Sequence, residues 1–171
     1  MYVHRPQGRG RLDNPDRYDA WYFGVTPETA VAETFADLAV WRSGMFDFPA
    51  MPGARRVLGV FEIPDDARIL DLDDANALRD RALRPTQVVA RIRPATQGWA
   101  LGIFNETDTS GQRKWDGVRW WSYHRPHWAV IALLTPRDET PIHSCLRTER
   151  LTMTHPAVVD SARSLGRRIL R

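Results

Sequence analysis

The chain predicts an α+β fold, and three observations carry that prediction. Strand-like runs occur both side by side and separated by helix-like segments, the mixed order of an α+β arrangement. Residues 128–134 (WAVIALL) are almost wholly apolar, as a central strand covered on both faces is. Thr26, Pro27 and Glu28 assemble a helix start directly after an aromatic strand-like run. They supply a hydroxyl N-cap, a proline at the first helical position and an acid in the first turn.

Taken in order, the chain opens in a loop, with Gly8 and Gly10 followed by the turn cluster Asp13-Asn14-Pro15-Asp16. Residues 19–24 (DAWYFG) read as a strand of aromatic β-formers closed by glycine. The helix that Thr26 caps is expected to run to about Val40, with Ala30, Val31, Thr34, Phe35 and Leu38 along one face. Thr29 stands where a capping box requires glutamate or glutamine, so the box is incomplete. Residues 42–55 read as a loop long enough to be a lid or a disordered excursion. Residues 56–63 and 67–72 read as strands, and Asp73 as the cap of a helix through Ala82. A short helix restarts at Arg84-Pro85-Thr86, and another runs from Pro94 to about Glu106. In that second helix Trp99, Ala100, Ile103 and Phe104 form the apolar face, and Gly98 and Gly102 offer close packing. Residues 105–114 are loop, and residues 117–123 (GVRWWSY) and 128–134 are strands. A weaker strand is expected within 141–146 or 149–153. His155-Pro156 opens a last helix with Val158, Val159, Ala162, Leu165 and Ile169 on one face. Its arginines crowd the C-terminal end, where cations suit the helix dipole.

Composition bounds the function classes. The 171 residues suit a single domain with a real core. An apolar share of 43% and a charged share of 26% are ordinary for a globular chain. No run approaches the roughly 18 apolar residues of a membrane span, and residues 1–11 lack the apolar core of a secretory signal. The cytoplasm is therefore the expected compartment. The lone Cys145 excludes an intramolecular disulfide and supplies no zinc pattern. A net charge of +3 comes mainly from arginine, Lys114 being the sole lysine. Arginine's planar fork suits a nucleotide, a nucleic acid or an acidic partner.

Candidate functional residues lie mostly in residues 8–35, where Arg11, Tyr22 and Glu33 stand eleven apart. Glu33 points roughly 130° from the middle of the apolar helix face, the position of a solvated glutamate. Trp120 and Ser122 alternate with Trp121 on a strand, so with Trp121 in the core the other two can line a cleft. Taken alone, Ser122 reads as a strand end bonded to local backbone. The Gly-x-Gly at Gly8 lacks a third glycine and a preceding strand, and no P-loop is present. His124 and His127 are two ligand types without a completing cluster, so no metal is expected. Ser122 lacks a nucleophile elbow.

Together, GRGRLDNPDRYDAWYFG, PETAVAETF and WDGVRWWSYHRPHWAVIALL resemble the RES domain family over nearly the whole chain. The resemblance implies an ADP-ribosyltransferase-like mixed sheet core with flanking helices. It implies a toxin that cleaves NAD at the nicotinamide–ribose bond by phosphorolysis or hydrolysis, or else an ADP-ribosyltransferase acting on a protein or nucleic acid. NAD is then substrate, and no cofactor is required. Arg11, Tyr22 and Trp120 become the expected substrate-binding residues, and Glu33 and Ser122 the catalytic ones. The implied partner is an Xre-type antitoxin, in a heteromeric complex or with the toxin as a homodimer; nucleic acid enters only through it. The family's usual first strand, which carries another functional arginine, is expected to be lacking, with Arg5 and Arg9 the nearest arginines. An arginine-rich RNA-binding module with stacking tryptophans is the non-enzymatic alternative.

Overall fold

The computed structural model describes residues 7–170. In chain order the elements are β1 (Tyr18–Gly24), α1 (Pro27–Phe35), β2 (Val40–Trp41), β3 (Val57–Glu62), β4 (Ile69–Asp71), α2 (Ala75–Asp80) and α3 (Pro85–Val88). There follow α4 (Arg93–Phe104), β5 (Gly117–Trp121), β6 (Ala129–Pro136), β7 (Ser144–Arg150), α5 (Pro156–Leu165) and β8 (Arg168–Ile169). Helices and mixed sheets together make the fold α+β. The chain divides into two compact units, one of residues up to 23, 64–121 and 130–142, the other of 24–63, 122–129 and 143 onward.

The first unit is built on a sheet of order β1-β6-β5-β4, with β4 and β5 parallel. Strand β6 is internal, and Ala132 to Thr135 are all buried, as its apolar run predicts. The Gln7 side chain bonds the backbone of β1 at Ala20, and the first strand expected to be lacking would fall on residues outside the described ones. Gln7 Oε1 accepts from Ala20 N at 3.0 Å and its Nε2 donates to Ala20 O at 3.3 Å. The core of this unit joins Leu12, Tyr18, Leu72, Val88, Ile103, Trp120 and Leu134. Helix α4 buries Thr96, Ala100, Ile103 and Phe104. Gly98 and Gly102 face open space, with nothing within 4 Å of an added Cβ, so they do not serve close packing. Asp74, one residue past the expected cap, accepts from Asn76 N and starts α2.

In the second unit α1 packs on α5 around Val31, Phe35, Trp41, Phe46, Val158 and Ala162. Thr26 caps α1 as expected, its hydroxyl accepting from Thr29 N at 3.1 Å. The helix stops at Ala36 and does not reach Val40. Trp41 is fully buried and sits edge-on to Phe35. Burying an aromatic ring is worth about 3 kcal/mol, against about 0.5 kcal/mol of propensity for each helical residue given up. The chain therefore turns at Leu38, and Val40–Trp41 pairs in parallel with Arg168–Ile169. The 42–55 loop is likewise anchored: Phe46 is fully buried in a 3₁₀ turn, and Asp47 bridges to Arg55.

Helix α5 ends at Leu165 and not at Ile169. Gly166 takes φ +63°, and Arg167 N donates back to Ala162 O at 2.7 Å, a Schellman-type stop. Arg167, expected to serve the end of its own helix, instead donates from Nη2 to Ala36 O at 2.6 Å and caps α1. Strand β7 pairs antiparallel with β3, with a bulge between Val60 and Phe61. It lies across the two ranges considered for the weak strand.

Candidate functional site

The predicted residues fall into two groups, one in each unit. In the first, the loop of residues 8–14 precedes β1 and is held from several sides. Gly8 adopts φ +97°, a conformation that suits glycine alone among common residues. Its N–H and that of Gly10 both donate to Asp13 Oδ2, at 2.8 and 2.7 Å. Asp13 Oδ1 accepts the Tyr22 hydroxyl at 2.8 Å, and the Tyr22 oxygen accepts from Leu12 N at 2.8 Å. Asp13 is 1% exposed, and a buried carboxylate is tolerable only when its lone pairs are used in this way. From α4, Thr96 donates to Arg11 O at 2.6 Å and Gln97 to Gly10 O at 3.0 Å. Asn14 Nδ2 bonds the Tyr18 oxygen at 2.7 Å and Gln97 O at 3.0 Å. Burial pushes the Tyr18 phenol up, aided by the Asp13 charge and opposed by Asn14. It stays protonated and donates to Leu12 O at 2.6 Å.

This loop presents Arg11, whose guanidinium donates to Val88 O at the end of α3 and lies over the Trp120 ring, 5.9 Å from its centroid. Trp120 is 3% exposed and meets Tyr22 edge-to-face at 6.3 Å. It backs Arg11 and Tyr22 from within the core and does not stand open on a cleft. Arg9 is exposed on the loop, and Arg5 lies outside the described residues.

The second group joins α1 to the loop after β5. The Ser122 hydroxyl donates to Glu33 Oε1, across 89 residues of sequence, and its oxygen accepts from His124 N at 3.0 Å. The local backbone bond considered for Ser122 is thus real, and it leaves the hydroxyl proton for Glu33. Ser122 is 1% exposed and its N–H donates to Trp128 O at 2.7 Å, while Glu33 is exposed on the outer face of α1. The loop is tied down by Arg125, which donates to Ser164 O, and Ser164 in turn donates to Glu28 Oε1 at 2.6 Å. The α1–β1 junction is tight: a Cβ on Gly24 would meet Ala30 N at 2.3 Å.

Glu33 and Ser122 make an oriented carboxylate that can hold a hydroxyl or stabilise nearby positive charge. Arg11 supplies a fixed planar cation for a phosphate or carboxylate. Among the described residues no group of three or more His, Cys, Asp or Glu could hold a metal ion. A groove of about 510 Å³ lined by Asp71, Asp80, Arg81, Glu106 and Trp115 contains none of the predicted residues. Sequence reasoning missed Asp13, Thr96, Gln97 and Arg125. Asp13 reads as an ordinary turn residue, and only the Gly10-x-x-Asp13 spacing hints at an acceptor for loop amides.

The fold is α+β, with the arginine–tyrosine loop in one unit and the glutamate–serine pair in the other. The RES domain family matches residues 1–154 of the 171, and the chain belongs to that family, known in toxin–antitoxin systems. No curated protein and no solved structure matches the chain.

Proposed function

We propose that the chain is an NAD-consuming toxin that cleaves the bond between nicotinamide and ribose, passing ADP-ribose to water or phosphate. The hydrogen bond from Ser122 to Glu33 carries this reading. Breaking the glycosidic bond builds positive charge on the ribose, as in glycoside hydrolysis, and an ionised carboxylate stabilises it. Ser122 fixes the rotamer of Glu33 so that its free oxygen can take a ribose hydroxyl. Serine then acts as an orienting donor, which agrees with its burial. Arg11 is assigned to the pyrophosphate and Tyr22 to the nicotinamide ring, with Trp120 as their support. Nicotinamide is already a good leaving group, so the chemistry needs no metal. An Xre-type antitoxin partner, in a heteromeric complex or with the toxin as a homodimer, and a cytoplasmic site of action accompany this reading.

The test is nicotinamide release from NAD by the purified chain, with and without phosphate. Turnover is expected, and Glu33→Gln is expected to abolish it. A wild-type chain that leaves NAD intact sinks the proposal. Transfer of label from NAD to a macromolecule, with little free ADP-ribose product, would instead establish an ADP-ribosyltransferase using the same residues.

A further inference from the structure

Glycine-rich loops that bind phosphate do so by turning backbone amides toward the ligand. The GRGR loop has the composition for this, yet the amides of Gly8 and Gly10 are turned inward onto Asp13 Oδ2, at 2.8 and 2.7 Å. An anion already fills the nest, and it belongs to the chain. The other oxygen of the same carboxylate holds the Tyr22 hydroxyl at 2.8 Å, and that hydroxyl accepts from Leu12 N at 2.8 Å. Asp13 therefore grips the loop at Gly10, before Arg11, and at Leu12, after it. The Arg11 carbonyl between them is pinned by Thr96 at 2.6 Å.

We propose that Asp13 is a positioning residue for dinucleotide binding, an internal anion that fixes the backbone of Arg11 and the ring of Tyr22 before substrate arrives. This rests on the NAD reading. It makes the pyrophosphate dependent on the Arg11 side chain, because the Gly8 and Gly10 amides are engaged. It also makes the Asp13 contribution one of ground-state binding, since one oxygen is held by the Gly8 and Gly10 amides and the other by the Tyr22 hydroxyl. A preordered loop binds more tightly because less freedom is lost on association.

The experiment compares the full wild-type chain with Asp13→Ala and with Tyr22→Phe, which keeps the ring and removes only its hydroxyl. ADP-ribose binding is measured by calorimetry, KM and kcat by nicotinamide release, and amide exchange at Gly8 and Gly10 by NMR. Asp13→Ala is expected to weaken ADP-ribose binding and raise KM by about tenfold or more while kcat stays within about threefold. Tyr22→Phe should move KM the same way by about threefold, and Gly8 and Gly10 should exchange about a hundredfold faster in Asp13→Ala. A folded Asp13→Ala protein with unchanged ADP-ribose affinity overturns the proposal, as does a loss confined to kcat. If Asp13→Ala does not fold, unchanged affinity in Tyr22→Phe overturns it. A wild-type chain that neither binds ADP-ribose nor releases nicotinamide overturns the NAD reading instead. Exchange at Gly8 and Gly10 then decides whether Asp13 anchors the loop, and unchanged rates reject that role.

Discussion

Glu33 owes its orientation to a residue that lies far away in sequence. A glutamate on the exposed face of a short helix samples several rotamers, and ordering it costs side-chain entropy. The Ser122 hydroxyl removes part of that freedom, and His124 N and the buried setting of Ser122 fix the hydroxyl in turn. Ser122→Ala should therefore lower kcat for nicotinamide release by about a hundredfold or less, and leave detectable turnover. Complete loss, as expected for Glu33→Gln, would instead give Ser122 a direct chemical role. At this scale the types of the candidate residues were legible in the sequence. Their partners were not, because Asp13 and Ser122 look like ordinary turn and strand-end residues until the chain closes around them.

The elements show the same division. Thr26 announces the start of α1 through local chemistry, and the structure keeps that cap. The end of α1 depends on where Trp41 finds a core, which no local signal encodes. Gly24 matters for the same element: an added Cβ would meet Ala30 N at 2.3 Å and Ala30 Cα at 2.8 Å, backbone atoms that cannot yield cheaply. Gly24→Ala is expected to destabilise the chain by about 1–3 kcal/mol in denaturant unfolding. Gly98→Ala and Gly102→Ala, in open space on α4, should each stabilise it by about 0.5–1 kcal/mol. The contrast checks the packing directly, since the same substitution is predicted to act with opposite sign.

At the scale of the molecule, charge pairing sets the acid limit of stability. Burial works to raise the Glu106 carboxyl, but hydrogen bonds from Arg81 and Trp115, with the Arg81 and Lys114 charges, hold it below the ordinary range. Burial likewise works to raise Asp116, and bonds from the Arg68 side chain and backbone outweigh it. Carboxyls depressed in the folded state contribute stability above their unfolded pKa and lose it as pH falls through the folded one. Thermal stability should therefore hold from neutrality into the ordinary carboxylate range and decline below about pH 4. Glu106→Gln is expected to flatten part of that decline, followed by melting temperature against pH. Among the described residues no helix is long and apolar enough to cross a membrane.

The sequence by itself determined the α+β class, the internal strand β6 and the start of α1 and α5. Each rests on local chemistry, such as a cap or an apolar run. Tertiary structure decided where α1 and α5 stop, what fills the GRGR loop, and what Ser122 holds. Those outcomes depend on partners distant in sequence: Arg167 reaching Ala36 O, Thr96 reaching Arg11 O, and Ser122 reaching Glu33. A side chain's donor or acceptor is chosen by what burial brings beside it, and burial belongs to the folded chain.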